Sequence, residues 1–315
     1  MILAFNIGNT NFSIGAIKGE SVKESRNFSY KYLVEELTDE HNFIDCIISC
    51  LERESIQSKN ITGTIISSVN PKLTGYLENA IAELFEIKPI IISPEMNMAL
   101  DLSEYDTTLI GSDRVAICEG ALNKYDTPII IFDFGTATTI NVIDSSGRFM
   151  GGAILPGLVM GFNALNKETA QLPPITNITT SDGNHQDDNI LLIGRNTEEC
   201  IISGAIFGNA AMLDGMVLRI QESLLELEES TDSKATTTTK KKSIPTYISG
   251  TTTDSILAAI APNYDSEISN DITILATGGN AEYILPHCET DVIYAPNLLM
   301  DGLNELYKRN YEKNS

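Results

Sequence analysis

The sequence predicts an α/β protein made of two related halves. Three observations carry that expectation. Apolar strand-like runs alternate with amphipathic helical stretches along the chain. The pattern strand, glycine turn, strand occurs at the start, MILAFNIGNTNFSIGAI (1–17), and again in mid-chain, PIIIFDFGTATTINVID (128–144). The 315 residues are enough for about two domains of ordinary size, each with its own core.

Taken in order, residues 1–17 read as a hairpin with a polar tip. SRNFSYKYLVEEL (25–37) gives a strand and then a helix start, and NFIDCIISCLERESI (42–56) has apolar residues at helical spacing. ITGTIISSVNP (61–71) is a buried-type strand stopped by Pro71. KLTGYLENAIAELF (72–85) is helical, KPIIISPEM (88–96) a strand, and GSDRVAICEGALNKY (111–125) a helix with a glycine and polar start. The mid-chain repeat follows, with further strand to GGAILPG (151–157). NTEECIISGAIFGNAAMLDGMVLRIQESLLELEES (196–230) is one long helix whose small residues allow close packing against a partner helix, within the chain or from a second copy. ESTDSKATTTTKKKSIPTYISG (229–250) is low-complexity and reads as a flexible surface insertion. TDSILAAIAP (253–262) reads as a helix, DITILATGGNAEYIL (271–285) as strand, glycine turn and helix, and NLLMDGLNELYKRN (297–310) as a final helix. The expected domains are 1–124 and 125–315, the second carrying the insertion.

Composition narrows the function classes. A net charge of −22 speaks against a nucleic-acid binder, because phosphate backbones need clustered Lys and Arg. It leaves room for a nucleotide substrate, whose phosphates can be held by backbone N–H groups and a metal ion. No apolar run approaches the ~20 residues of a membrane span, and no basic segment precedes the first apolar stretch, so no membrane association and a cytoplasmic location are expected. Five cysteines without a CxxC pair and three histidines without zinc spacing indicate neither a disulfide scaffold nor a structural zinc.

The chemistry resides in the glycine turns. FNIGNTN (5–11) and FDFGTATT (132–139) each offer a glycine that lets the backbone approach a ligand, then hydroxyls and exposed N–H groups. Two such hairpins facing each other can hold a triphosphate chain, and ATGGN (276–280) supplies a third glycine turn suited to the nucleoside. The candidate ATP-binding residues are therefore Asn6, Gly8, Asn9, Thr10, Asn11, Gly135, Thr136, Gly278 and Gly279.

These turns sit among further motifs in a fixed order: SSVNP (67–71), GSDRVA (111–116), GGAILPGL (151–158), TAQLP (169–173), IGRNT (193–197), SGAIFG (203–208) and LMDGL (299–303). With IGNTN, DFGTATT and ATGG they make a sequence that resembles the type III pantothenate kinases, of the superfamily of actin, acetate kinase and the sugar kinases. The likeness runs nearly end to end, with 176–190 and 229–270 as apparent insertions. It implies two ribonuclease-H-like domains of mixed sheets with a nucleotide cleft between them. It also implies a homodimer with pantothenate at its interface, phosphorylation of pantothenate by ATP as the first step of coenzyme A biosynthesis, and a need for Mg2+ or another divalent ion with K+ or NH4+.

Residue by residue, the resemblance makes Asp113 the catalytic base, a role a carboxylate at a helix start can fill. It makes Arg114, with the Gly111 and Ser112 backbone, the holder of pantothenate, Arg suiting a carboxylate bidentately. Asp133 matches the monovalent-cation ligand, Thr136 a nucleotide contact, and Thr197 a pantothenate contact from the other half of the site. Tyr105 corresponds to the family's substrate tyrosine, although it lies one residue nearer GSDR and lacks the usual intervening proline. Ser112 stands where alanine is usual.

Asn6 stands where the family has Asp, whose carboxylate organises Mg2+ near the phosphates. The amide keeps hydrogen bonding but lacks the charge Mg2+ prefers. The residues leave three accounts open: a working kinase relying on Mg2+ carried by ATP, a slow paralogue, or a catalytically weakened ligand-binding accessory or regulatory protein.

Overall fold

The computed structural model describes residues 1–17, 28–175, 190–233 and 272–311. Two five-stranded sheets form its frame. The first comprises β1 (Ile2–Ile7), β2 (Asn11–Ile17), β3 (Phe28–Leu33), β4 (Gly63–Ser68) and β5 (Ile90–Ile91), in the spatial order β3-β2-β1-β4-β5. The second comprises β6 (Ile129–Phe134), β7 (Ala137–Ile143), β8 (Phe149–Pro156), β9 (Thr273–Thr277) and β10 (Ile293–Tyr294), in the order β10-β9-β6-β7-β8.

The sheets have one topology. In each, the leading strand pairs antiparallel with the next, which pairs antiparallel with the third, while two later strands add parallel on the other side. The parallel strands need helical crossovers. The sequence repeat thus corresponds to the β1–β2 and β6–β7 hairpins.

The helices start where local chemistry permits. α1 (Glu40–Arg53) opens on a capping box between Asp39 and Asn42. α2 (Pro71–Phe85) has Asn70 as N-cap, accepting from the Leu73 N–H, and proline at its first turn. Both lie against one face of the first sheet, where Phe5, Phe12, Phe43, Ile47, Leu77 and Ile81 are fully buried. Phe12 meets the Phe43 ring edge-on at 5.0 Å.

The remaining helices are α3 (Ser112–Leu122), α4 (Leu158–Glu168), α5 (Thr197–Ser233), α6 (Ala281–Ile284) and α7 (Leu298–Tyr311). α3 and α7 are a shared layer. Val115, Ala116, Leu303 and Leu306 pack on Ala4 and Ile65 of the first sheet. Ile117, Cys118, Ala121 and Leu298 pack on Ile129, Ile131 and Leu275 of the second. The two helices cross at Gly120 and Gly302, so closely that a methyl group on either would stand 2.9 Å from the other's backbone nitrogen.

The chain divides into two compact units. One, Met1–Val217 with Thr273–Ser315, holds both sheets; the other is Leu218–Ile272, of which 218–233 and Ile272 are described.

Three expectations are corrected. α5 continues to Ser233, so residues 229–233 of the expected insertion are helical, while 234–250 and the helix expected at 253–262 lie outside the described residues. The strand expected at 88–96 contracts to Ile90–Ile91, because the following Ser93 and Pro94 leave the sheet. Within α5, residues 197–225 are long and apolar enough to cross a membrane by length and composition, with mean hydropathy 1.6. Asp214 interrupts the run in the sequence, but the small and apolar residues around it keep the average high. Ile201, Ile206, Ala210, Leu213 and Val217 are buried at roughly helical spacing, the stripe of a helix lying on a protein core.

Because the α3–α7 crossing admits no Cβ, Gly302→Ala is expected to destabilise the fold by about 1–3 kcal/mol. Urea unfolding should show it as a lower midpoint at unchanged m-value.

Candidate active site

In α/β sheets ligands bind beyond the carboxyl ends of the parallel strands, where the connections switch direction. Here those ends include Ile7, Ser68, Phe134 and Thr277, with Asn6, Gly8, Asp133, Gly135 and Gly278 next to them in the chain and Ser112 bonded to Ser67 and Ser68.

On the first sheet Asn6 stands opposite Ser13 on one side and Ser67 on the other. Ser67 Oγ lies 2.9 Å from Ser112 Oγ, and Ser112 Oγ also accepts from the Ser68 N–H at 2.9 Å and donates to the Ser68 carbonyl at 3.1 Å. The serine that replaces alanine therefore fastens the start of α3 to the end of β4. Its hydroxyl is committed to that joint, which leaves the Gly111 and Ser112 backbone as the part free to meet a ligand. Asn6 Oδ1 is buried and has no hydrogen-bond partner among the described residues. A buried acceptor of this kind calls for a donor or a cation.

Asp113 is in the first turn of α3, and its Oδ1 accepts from the Arg114 N–H at 2.8 Å. Arg114 is buried. Its Nε donates to Asn141 Oδ1 at 2.7 Å, and its guanidinium lies 5.4 Å above the Phe149 ring. Tyr105 meets the same ring edge-on at 4.8 Å. Tyr105, Gly111, Ser112, Asp113 and Arg114 thus form one cluster, organised by two residues that the sequence reading missed. Asn141 was legible only as a polar interruption in ATTINVI; it is fully buried in β7 and turns its amide to Thr139 Oγ1 at 3.3 Å.

The glycine turns meet on the other side. Gly8 donates to the Asn11 carbonyl at 2.9 Å, closing the first hairpin, whose tip leaves Asn9 and Thr10 exposed. The Thr136 hydroxyl of the second hairpin lies 3.2 Å from the Thr10 hydroxyl. Asn280 binds the second hairpin twice, through its N–H to the Phe134 carbonyl at 3.1 Å and its Nδ2 to the Gly135 carbonyl at 3.2 Å. Gly278 has φ +91°, and a methyl there would stand 2.6 Å from Asp133 Oδ1. Only glycine allows both that conformation and that approach.

Asp133 is the penultimate residue of β6, against this turn. Burial, then the neighbouring Asp113 carboxylate, push its pKa up to about 7, while Lys31 pulls it down. Asp113 and Asp133 are therefore close enough to feel each other's charge, one from a helix of the first half and one from a strand of the second. Thr197 begins α5 as an exposed residue, and no hydrogen bond or ion pair joins it to the others among the described residues.

As a metal site this set is sparse. No group of three or more His, Cys, Asp and Glu able to hold an ion occurs among the described residues. A neutral amide oxygen on one sheet and one carboxylate on the other fit an ion that arrives with phosphate oxygens better than one caged by protein.

Comparison with known proteins adds the family. The model for type III pantothenate kinase matches residues 2–219. Type III pantothenate kinase from Exiguobacterium sibiricum is 30% identical over 311 residues, 98% of this chain and all of that protein. The enzyme of the same description from Geobacillus thermodenitrificans is 27% identical over 313 residues, 99% of each chain. Among solved structures, a Campylobacter jejuni protein assigned to the Baf family of transcriptional activators aligns with TM-score 0.50 and 15% identity, covering 98% of this chain and 99% of its own. That last likeness concerns the fold alone.

Removing the Asn141 acceptor strands the Nε–H of a buried guanidinium. Asn141→Leu is expected to cost about 2–3 kcal/mol in urea unfolding, with Asn141→Asp, which restores an acceptor, nearer to wild type.

Proposed function

This chain belongs to the type III pantothenate kinase family, and we propose from that premise that it transfers the γ-phosphoryl group of ATP to the hydroxyl of pantothenate, opening coenzyme A biosynthesis. The observation that carries the reading is the joint between α3 and β4: Asp113, the residue matching the base, follows Ser112, whose hydroxyl is bonded to Ser67 and Ser68 at the end of the strand that pairs with β1 and its glycine turn. Asp113 takes the proton of the attacking hydroxyl as the phosphoryl moves, and the N-terminus of α3 fixes its carboxylate.

Arg114, held by Asn141 and Phe149, meets the pantothenate carboxylate, with Tyr105 and the Gly111 and Ser112 backbone shaping the same pocket. Asn6, Gly8, Asn9, Thr10 and Asn11 and their counterparts Gly135 and Thr136 hold the phosphate chain. Gly278 and Gly279 lie under the nucleoside. Asp133 is the ligand of K+ or NH4+. A divalent ion brought by ATP, with Asn6 Oδ1 as a neutral donor, neutralises phosphate charge when bound.

The reading divides the molecule into halves at 124/125, acting as two ribonuclease-H-like domains about the nucleotide. It also makes the enzyme a cytoplasmic homodimer in which Thr197 serves the partner's site. Supporting the dimer, large apolar side chains stand exposed on β8, on α4 and before α5: Ile154, Val159, Met160, Leu192 and Ile193, the last 82% exposed. No nucleic-acid or membrane partner belongs to this reading.

Two measurements test it. In an ATP-coupled assay with pantothenate, Mg2+ and K+, Asp113→Asn is expected to lower kcat by about 10²–10⁴-fold; unchanged turnover would remove Asp113 from the role of base. Asn6→Asp is expected to lower the Mg2+ concentration needed for half-maximal rate. Wild type without turnover, together with an active Asn6→Asp variant, would instead establish the weakened-paralogue account.

A further inference from the structure

A row of side chains crosses the first sheet at the level of Asn6. Residues directly opposed in a sheet project from the same face, and the registers align Lys31 on β3 with Ser13 on β2, Asn6 on β1 and Ser67 on β4. Ser67 in turn touches Ser112 at the start of α3. Lys31 therefore shares the face of the candidate site. Its neighbours Tyr30 and Tyr32 point the other way, into the core beneath α1 and α2.

The lysine side chain reaches across to the second sheet. A methyl group built on Gly279 would stand 3.4 Å from Lys31 Nζ, so the ammonium lies over the ATGG turn. It is near enough to Asp133 to act on its charge, yet no ion pair within 4.0 Å engages it among the described residues. An edge-strand lysine commonly serves to discourage strand pairing, for which it extends into solvent. This one instead spans to a glycine turn of the opposite sheet.

The site needs such a charge. A triphosphate entering between Asp113 and Asp133 meets two carboxylates, and Asn6 brings no carboxylate to recruit a metal ion. Arg114 has its Nε bonded to Asn141, stacks on Phe149, and in the reading above serves the pantothenate carboxylate. We propose that Lys31 is a nucleotide-binding residue, its ammonium contacting the β- and γ-phosphates between the two hairpins. The proposal rests on the kinase reading above and adds a side-chain cation for the phosphates.

Calorimetric titration of MgATP, MgADP and AMP into wild type, Lys31→Met and Lys31→Arg tests it without any need for turnover. Lys31→Met, which keeps the stem and deletes the charge, is expected to weaken MgATP and MgADP roughly tenfold or more. AMP should bind as before, and Lys31→Arg should recover most of the loss. Lys31 is exposed, so the thermal midpoint without nucleotide should not move. Equal MgATP affinity in wild type and Lys31→Met, or an equal loss for AMP, overturns the proposal while leaving the kinase reading intact. Wild type that binds neither MgATP nor MgADP overturns both.

Discussion

The arrangement of this molecule depends on the contact of backbone with backbone where α3 crosses α7. Gly120 and Gly302 bring the two helix axes closer than any side chain would permit, so the pair fits as one thin layer between the sheets. α3 carries Asp113 and Arg114 at its start and α7 comes from the far end of the sequence. The crossing therefore decides how far the first-half carboxylate stands from Asp133 on the second sheet. Well-packed interiors transmit such constraints because they do not compress. A wider layer would separate the acidic residue from the glycine turns without altering either.

Much of this was legible locally. The hairpins follow from apolar runs around glycine turns, α1 from its periodicity, and the doubled architecture from the repeat of the hairpin pattern. What escaped was long-range. β5 shrinks to Ile90–Ile91 because the chain leaves the sheet at Ser93 and Pro94, a stop that the apolar run PIII outweighed in the reading. Asn141 and Lys31 look like ordinary strand residues until register places one under Arg114 and the other in line with Asn6. The reach of α5 to Ser233 overrode a composition that reads as loop.

Charge shapes the site as much as packing does. In a chain of net −22, the polar groups at the strand ends are mostly neutral: serine and threonine hydroxyls, asparagine amides and glycine N–H groups. Neutral donors grip an anion without requiring a matching number of cations, and they lose little when salt screens the surface. The few ionisable side chains there, Asp113, Asp133, Arg114 and Lys31, then take individual duties in the proposed reading, and burial with the Asp113 charge favours the neutral form of Asp133.

The twin topology of the sheets has a consequence for how such duties arise. Asn6 and Asp133 occupy matching places, each the penultimate residue of the leading strand of its sheet and each just before a glycine turn. A duplicated element frees its copies to diverge, since one can retain a property that the other gives up. Here the two copies have parted over a single atom's worth of chemistry, an amide nitrogen in one where the other has a carboxylate oxygen. The internal symmetry of the two hairpins is broken at this pair of residues, which puts an amide on one sheet where the other carries a titratable carboxyl group, a difference that a perfect repeat would lack.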